Sequence, residues 1–202
     1  MGFFMSRYAG VEQTVMLAVD EPAEFEETLA AINTAHEQAC RLMAEGPSQV
    51  MIHSDNLTSD THSPGWVQRY SAKHYATMAR IAHEHGKPIV THIDGRLRGL
   101  LQTTRDLGFD GADAATPAPW GDLTPAQCRV EAGPDYILSG GVPPDSFNAD
   151  FPLRDFEAQI ETWLELRHQS SALIIAPGDQ LPPDGDIDRV THMVAMAAQA
   201  TY

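Results

Sequence analysis

The sequence predicts an α/β fold of the (β/α)8 TIM-barrel type, incomplete, with about five to six βα units and the N-terminal strands missing. Short apolar runs alternate along the chain with turns and longer amphipathic segments, which is the grammar of βα repeats. The runs are almost continuously apolar, as strands of a parallel sheet covered on both faces are. No G-x-G-x-x-G or G-x-x-x-x-G-K-[ST] follows any of them, so a doubly wound nucleotide-binding sheet is disfavoured and no nucleotide cofactor is expected. A whole barrel takes about 250 residues and eight strands. This chain has 202 residues and leaves no room for three further strands ahead of Val50.

In chain order, Met1 to Ser6 matches the letters of a myristoylation signal, a pattern short enough to recur by chance. Asp20-Glu21-Pro22 opens a helix that runs to Glu45, with Phe25, Leu29, Ile32, His36 and Met43 at helical spacing and Gly46-Pro47 as the stop. Val50 to His53 is the first strand. Ser63-Pro64 starts the next helix, which carries Trp66, Tyr70, His74, Met78 and Ile81 on one side and closes at Gly86-Lys87-Pro88. Further strands are Pro88–His92, Gly111–Ala115, Tyr136–Ser139 and Ala172–Ala176, with helical segments between them and an alanine-rich helical end. No repeat, linker or low-complexity tract divides the chain.

Lys plus Arg is 13 and Asp plus Glu is 28, for a net charge of −15. That balance argues against a nucleic-acid or anionic-membrane surface. Nothing approaches the roughly 18 apolar residues of a membrane helix. Cys40 and Cys128 stand apart without a ligand pattern, so neither a disulfide framework nor a zinc knuckle is indicated, and a reducing cytoplasm fits best.

In a barrel the reactive face lies where strands end and βα loops begin. Polar residues gather there: His53-Ser54-Asp55-Asn56, His92-Ile93-Asp94-Gly95, Asp113, Gly140-Gly141 and Gly178-Asp179. Because side chains alternate along a strand, His53 with Asp55 and His92 with Asp94 are expected to project toward one rim. His53, Asp55 and Asp113 are the candidates for acid–base or orienting work. Arg96 and Arg98 are candidates to hold a substrate carboxylate, with Gly140 and Gly141 as further substrate-binding positions. His92 and Asp94, two apart, with Asp179 arriving from a distant strand, supply one nitrogen and two oxygen donors for a divalent cation with an open position. Ordinary roles compete at each place, since Asp113 can brace the barrel and Asp179 can belong to a turn. His36, His74, His83, His85, His168 and His192 fall on helices and read as solvated or packed, and Trp120 and Trp163 as packing residues. There is no G-x-S-x-G, and both cysteines lie in helical segments, so nucleophilic serine or cysteine chemistry has no support.

Several of these stretches, taken in order, resemble the uroporphyrinogen decarboxylase family, which includes the corrinoid-dependent methyltransferases. They are Asp20-Glu21-Pro22 ahead of a long helix, His53-Ser54-Asp55, Ser63-Pro64 with Trp66, and His83-Glu84-His85-Gly86-Lys87-Pro88. The turn His92-Ile93-Asp94-Gly95, then Leu107-Gly108-Phe109-Asp110-Gly111, Gly140-Gly141-Val142-Pro143 and Ala176-Pro177-Gly178-Asp179-Gln180-Leu181-Pro182-Pro183 complete the set. The resemblance implies one domain over residues 1–202, similar to the C-terminal part of the family's barrel. The family's opening portion, with its arginine-rich loop and early aspartate, has no counterpart, and its late Gly-His-Gly turn is matched by Gly178-Asp179-Gln180. The methyltransferase branch binds zinc through a His-x-Cys turn and a later Pro-Gly-Cys turn, positions that fall here on His92, Asp94 and Asp179. Two carboxylates for two thiolates keep the ligand set dianionic and make it harder. The expectation is a metal-assisted methyltransferase-like or decarboxylase-like enzyme on a small acidic or corrinoid-linked substrate. Zinc is the first expected metal, then manganese or magnesium, and a corrinoid protein is an expected partner. The alternatives are decarboxylation of uroporphyrinogen III to coproporphyrinogen III and a non-catalytic barrel fragment. Open sheet edges would also drive the chain toward a homo-oligomer or a partner chain that completes the barrel.

Overall fold

The computed structural model describes residues 1–200. At its centre lies one parallel sheet of five strands: β1 (Met51–Leu57), β2 (Ile89–Ile93), β3 (Gly111–Ala115), β4 (Ile137–Val142) and β5 (Leu173–Pro177). They stand side by side in the order in which they occur in sequence. A doubly wound sheet reverses its order at a switch point, whereas a barrel wall does not, so this is part of a barrel wall. Before β1 come α1 (Gly10–Asp20) and α2 (Pro22–Glu45). The crossovers carry α3 (Ala72–Glu84), α4 (Leu100–Asp106), α5 (Pro125–Ala132) and α6 (Leu153–Leu164), and α7 (Ile187–Gln199) follows β5. Among the described residues no helix is long and apolar enough to cross a membrane.

Local chemistry sets the helix starts. Pro22 occupies the first turn of α2 beside Glu24, where a fixed φ and a negative charge both suit the helix N-terminus. Thr124 and Gln127 form a reciprocal capping box on α5, with Gln127 N–H donating to Thr124 Oγ1 at 3.3 Å and Thr124 N–H to Gln127 Oε1 at 2.9 Å. Asp186 caps α7 by accepting from Asp188 N–H at 2.9 Å.

Strand register sorts the side chains onto two faces. Met51, Leu57, Ile89, Ile93, Ala112 and Leu138 face the helix layer and share a core with Tyr75, Met78, Ile81 and Ala82 of α3. Ile52 pairs with Val90, Val90 with Gly111, His92 with Asp113, Gly111 with Ile137 and Ser139 with Ile174, and these residues share the opposite, lumen face. On the outermost strands Ile52 and Ile174 remain half exposed, because each has a strand beside it on one side only.

β1 outruns its predicted end at His53 and continues to Leu57. Ser54-Asp55-Asn56 looks like a loop in sequence, yet Asp55 and Leu57 are buried, and a bulge with Asn56 at φ 52° keeps the strand going. Trp163 packs as expected: wholly buried, it donates Nε1–H to the Ile174 carbonyl at 3.2 Å. Trp120 does not; it is 57% exposed in the stretch after β3.

Candidate active site

β2 and β5 deliver the site. Backbone pairing carries past the end of β2, where Asp94 N–H donates to the Leu57 carbonyl at 3.0 Å, and this holds Asp94 on the same face as His92. The loop after β5 is pinned twice: Gly178 N–H donates to the Val142 carbonyl at 2.7 Å, and Thr116 Oγ1 donates to the Gly178 carbonyl at 2.8 Å. A Cβ at position 178 would lie 2.1 Å from Thr116 Oγ1, so glycine is required for the loop to sit there. As a result one donor atom each from His92, Asp94 and Asp179 fall within 4.8 Å of one another, all partly buried. His92 Nε2 is 3.9 Å from Asp94 Oδ2.

Asp113 stands directly opposite His92 in the β2–β3 register, and its Oδ2 lies 3.2 Å from His92 Nδ1. A bulge follows it, with Ala114 at φ 64° and the register shifted between Ala112 and Ala115. Ser139 Oγ completes the row, 3.5 Å from Asp113 Oδ1. The hydrogen bond to Asp113 raises the His92 pKa above the ordinary imidazole value, and the same bond holds the Asp113 carboxyl low. Burial pushes the Asp94 carboxyl up.

The second predicted pair lies elsewhere. The register places His53 opposite Thr91, not His92, so His53 and Asp55 project into the helix layer while His92 and Asp94 project into the lumen. The expected meeting of the two pairs on one rim is therefore corrected: a single-residue offset in strand pairing reverses the face. His53 is buried among Tyr75, Phe109 and His74. Burial lowers its pKa to about 4, against the opposing pull of Asp55. Asp55 accepts from the Tyr75 hydroxyl at 2.5 Å and from Phe3 N–H at 2.9 Å, and the Met1 ammonium lies 3.2 Å from its Oδ2. Burial alone would raise the Asp55 pKa; the ammonium, His53 and the Tyr75 bond hold it well below the carboxylate range.

The arginines do not turn toward the cluster either. Arg96 pairs with Asp60 at 3.2 Å, and Arg98 reaches the Asp122 carbonyl at 2.9 Å, both largely exposed. Gly140 and Gly141 lie buried within β4 and serve packing: a Cβ would come within 2.4 Å of the Ala115 carbonyl oxygen at the first and 2.2 Å of the Trp163 ring at the second. Both cysteines are free and buried, and burial pushes the Cys128 thiol up to about 12. Sequence reasoning missed Ser139 and Thr116. Strand alternation would have found Ser139, which lies two residues beyond Ile137 on the lumen face. No local signal marks Thr116, whose partner is 62 residues away.

The sequence profile described as uroporphyrinogen decarboxylase (URO-D) matches residues 4–200. The chain belongs to this family. The fold is also similar to that of a methyltransferase from Methanosarcina mazei, with a TM-score of 0.77 at 19% identity. The match covers 94% of this chain and 53% of the methyltransferase, so the chain spans about half the length of that solved relative. No curated protein sequence matches it.

Proposed function

We propose that this uroporphyrinogen decarboxylase family chain binds one divalent cation through His92, Asp94 and Asp179. On this reading it works as a metal-assisted methyltransferase-like or decarboxylase-like enzyme on a small acidic or corrinoid-linked substrate. The convergence of three donor atoms within 4.8 Å, from the ends of β2 and β5, carries the reading. One imidazole and two carboxylates form a dianionic set that suits zinc, and also manganese or magnesium. Bound there, the cation supplies a Lewis acid. The chain's own groups supply the rest. Asp94, Asp113 and Asp179 make the lumen negative, and Arg96 and Arg98 are engaged with Asp60 and Asp122. An acidic substrate thus needs a positive charge at this rim, which supports a cation between the carboxylates.

Calorimetric titration with Zn²⁺, Mn²⁺ and Mg²⁺ tests the reading. One site is expected for at least one ion, weakened at least about tenfold in Asp94→Ala and in Asp179→Ala. If none of the three ions binds, the reading is wrong. Conversion of uroporphyrinogen III to coproporphyrinogen III by this chain would establish the decarboxylase arm in place of methyl transfer.

A second reading concerns assembly, and the sheet favours it. Among the described residues the outer edges of β1 and β5 carry no partner strand, and Ile52 and Ile174 are half exposed on the lumen face. We propose that a second copy or another chain covers these edges. Light scattering that returns a monomer at all concentrations would refute this.

A further inference from the structure

The structure assigns Asp113 as a positioning residue that locks His92 in one tautomer and so aims its Nε2 lone pair at Asp94 and Asp179. The assignment rests on the cation reading for its consequence, but its geometry stands apart from it. His92 has two ring nitrogens, and in the neutral ring one donates while the other accepts. A carboxylate can only accept, and Asp113 Oδ2 is 3.2 Å from Nδ1, so Nδ1 carries the proton and Nε2 is left with its lone pair. Nε2 is also the nitrogen that faces the donor cluster, 3.9 Å from Asp94 Oδ2.

The backbone is shaped for this contact. His92 and Asp113 are direct partners in the β2–β3 ladder, so both side chains leave the sheet on the lumen face. Immediately after Asp113 the strand bulges, with Ala114 in the left-handed region at φ 64°, where an alanine is strained. Bulges re-aim side chains, and this one sits next to the carboxylate that must reach an imidazole across the strand gap. Ser139 Oγ lies 3.5 Å from the other carboxylate oxygen, leaving Oδ2 to the histidine. A carboxylate behind a ligating histidine fixes the ring and raises its basicity, and removing such a group costs about 10- to 100-fold in metal affinity.

Two measurements test the assignment. In the metal-free protein at mildly alkaline pH, two-bond ¹⁵N–¹H correlation spectra, assigned with His92→Gln, are expected to show His92 protonated at Nδ1. A ring protonated at Nε2 would overturn the proposal, whether or not any metal binds. In Asp113→Asn the amide oxygen keeps the place that accepts from Ser139 Oγ, so the NH2 group faces and donates to Nδ1, which moves the proton to Nε2 and blocks the ligand lone pair. This variant is expected to switch the tautomer and lose about 10- to 100-fold in Mn²⁺ or Zn²⁺ affinity by calorimetry. Asp113→Asn with an unchanged tautomer, or with affinity within about threefold of the parent, refutes the assignment. If the parent binds no metal but shows the Nδ1–H ring, the cation reading fails alone and the positioning role of Asp113 survives.

Discussion

Acidification from about pH 7 to about pH 5 is expected to remove about 2 kcal/mol of stability through His53 alone. The ring is buried, 4.7 Å from the Tyr75 ring and 5.5 Å from the Phe109 ring between centroids, and burial lowers its pKa to about 4 although Asp55 pulls the other way. In the unfolded chain it titrates near the free value of about 6.5. Below that pH the unfolded state takes up a proton that the folded state refuses, so stability is full above about 6.5 and declines as the pH falls toward 4. At 1.36 kcal/mol per pH unit the whole window is worth about 3 kcal/mol, of which about 2 is lost by pH 5. Guanidinium melts across this range, on the parent and on His53→Asn, measure it. His36, His62 and His74 are lowered by burial too, so the parent loses more than His53 accounts for, and the difference in slope between the two proteins isolates His53. Parallel stability profiles, or a His53 ring that titrates near 6.5 by NMR, would refute the reasoning.

Gly141→Ala places a Cβ 2.2 Å from the Trp163 ring at φ 102°, and a loss of about 3 kcal/mol or more is expected in the same melts. A loss under about 1 kcal/mol would show that the indole moves freely. Gly178→Ala drives a Cβ into Thr116 and displaces the loop that carries Asp179, so Mn²⁺ affinity should fall about tenfold with little change in circular dichroism. Unchanged affinity would detach that loop from the site. Arg129 is buried and donates to the carbonyls of Gly133, Tyr136 and Ala172, so Arg129→Met orphans three acceptors and should cost about 3 kcal/mol by denaturant titration. A near-neutral result would mean that water replaces the guanidinium.

The barrel wall was legible because its signal is local. Apolar runs such as Ile89–Ile93 and Leu173–Pro177 stand out from their polar surroundings as strands, and Gly46-Pro47 or Gly86-Lys87-Pro88 close the helices before them through the φ and hydrogen-bonding limits of single residues. The His92, Asp94 and Asp179 group was legible for a similar reason: each ends a strand, and parallel strands end on the same rim. The reach of β1 was not, since Ser54-Asp55-Asn56 is polar and only the buried partners of Asp55 reveal a strand there. At Gly140 and Gly141 the close approach of Ala115 and Trp163 was not legible either, since those contacts are made by residues 22 or more positions away.

What the chain determined by itself, then, is the order and kind of its elements, because propensity, capping and alternation act over a few neighbouring residues. Only the tertiary structure decided which face each strand residue occupies, because the face depends on register against the next strand. Met51 opposite Ile89 sends His53 to the helices, and Val90 opposite Gly111 sends His92 to Asp113. One His/Asp pair thus became part of the packed interior, and the other became the candidate site.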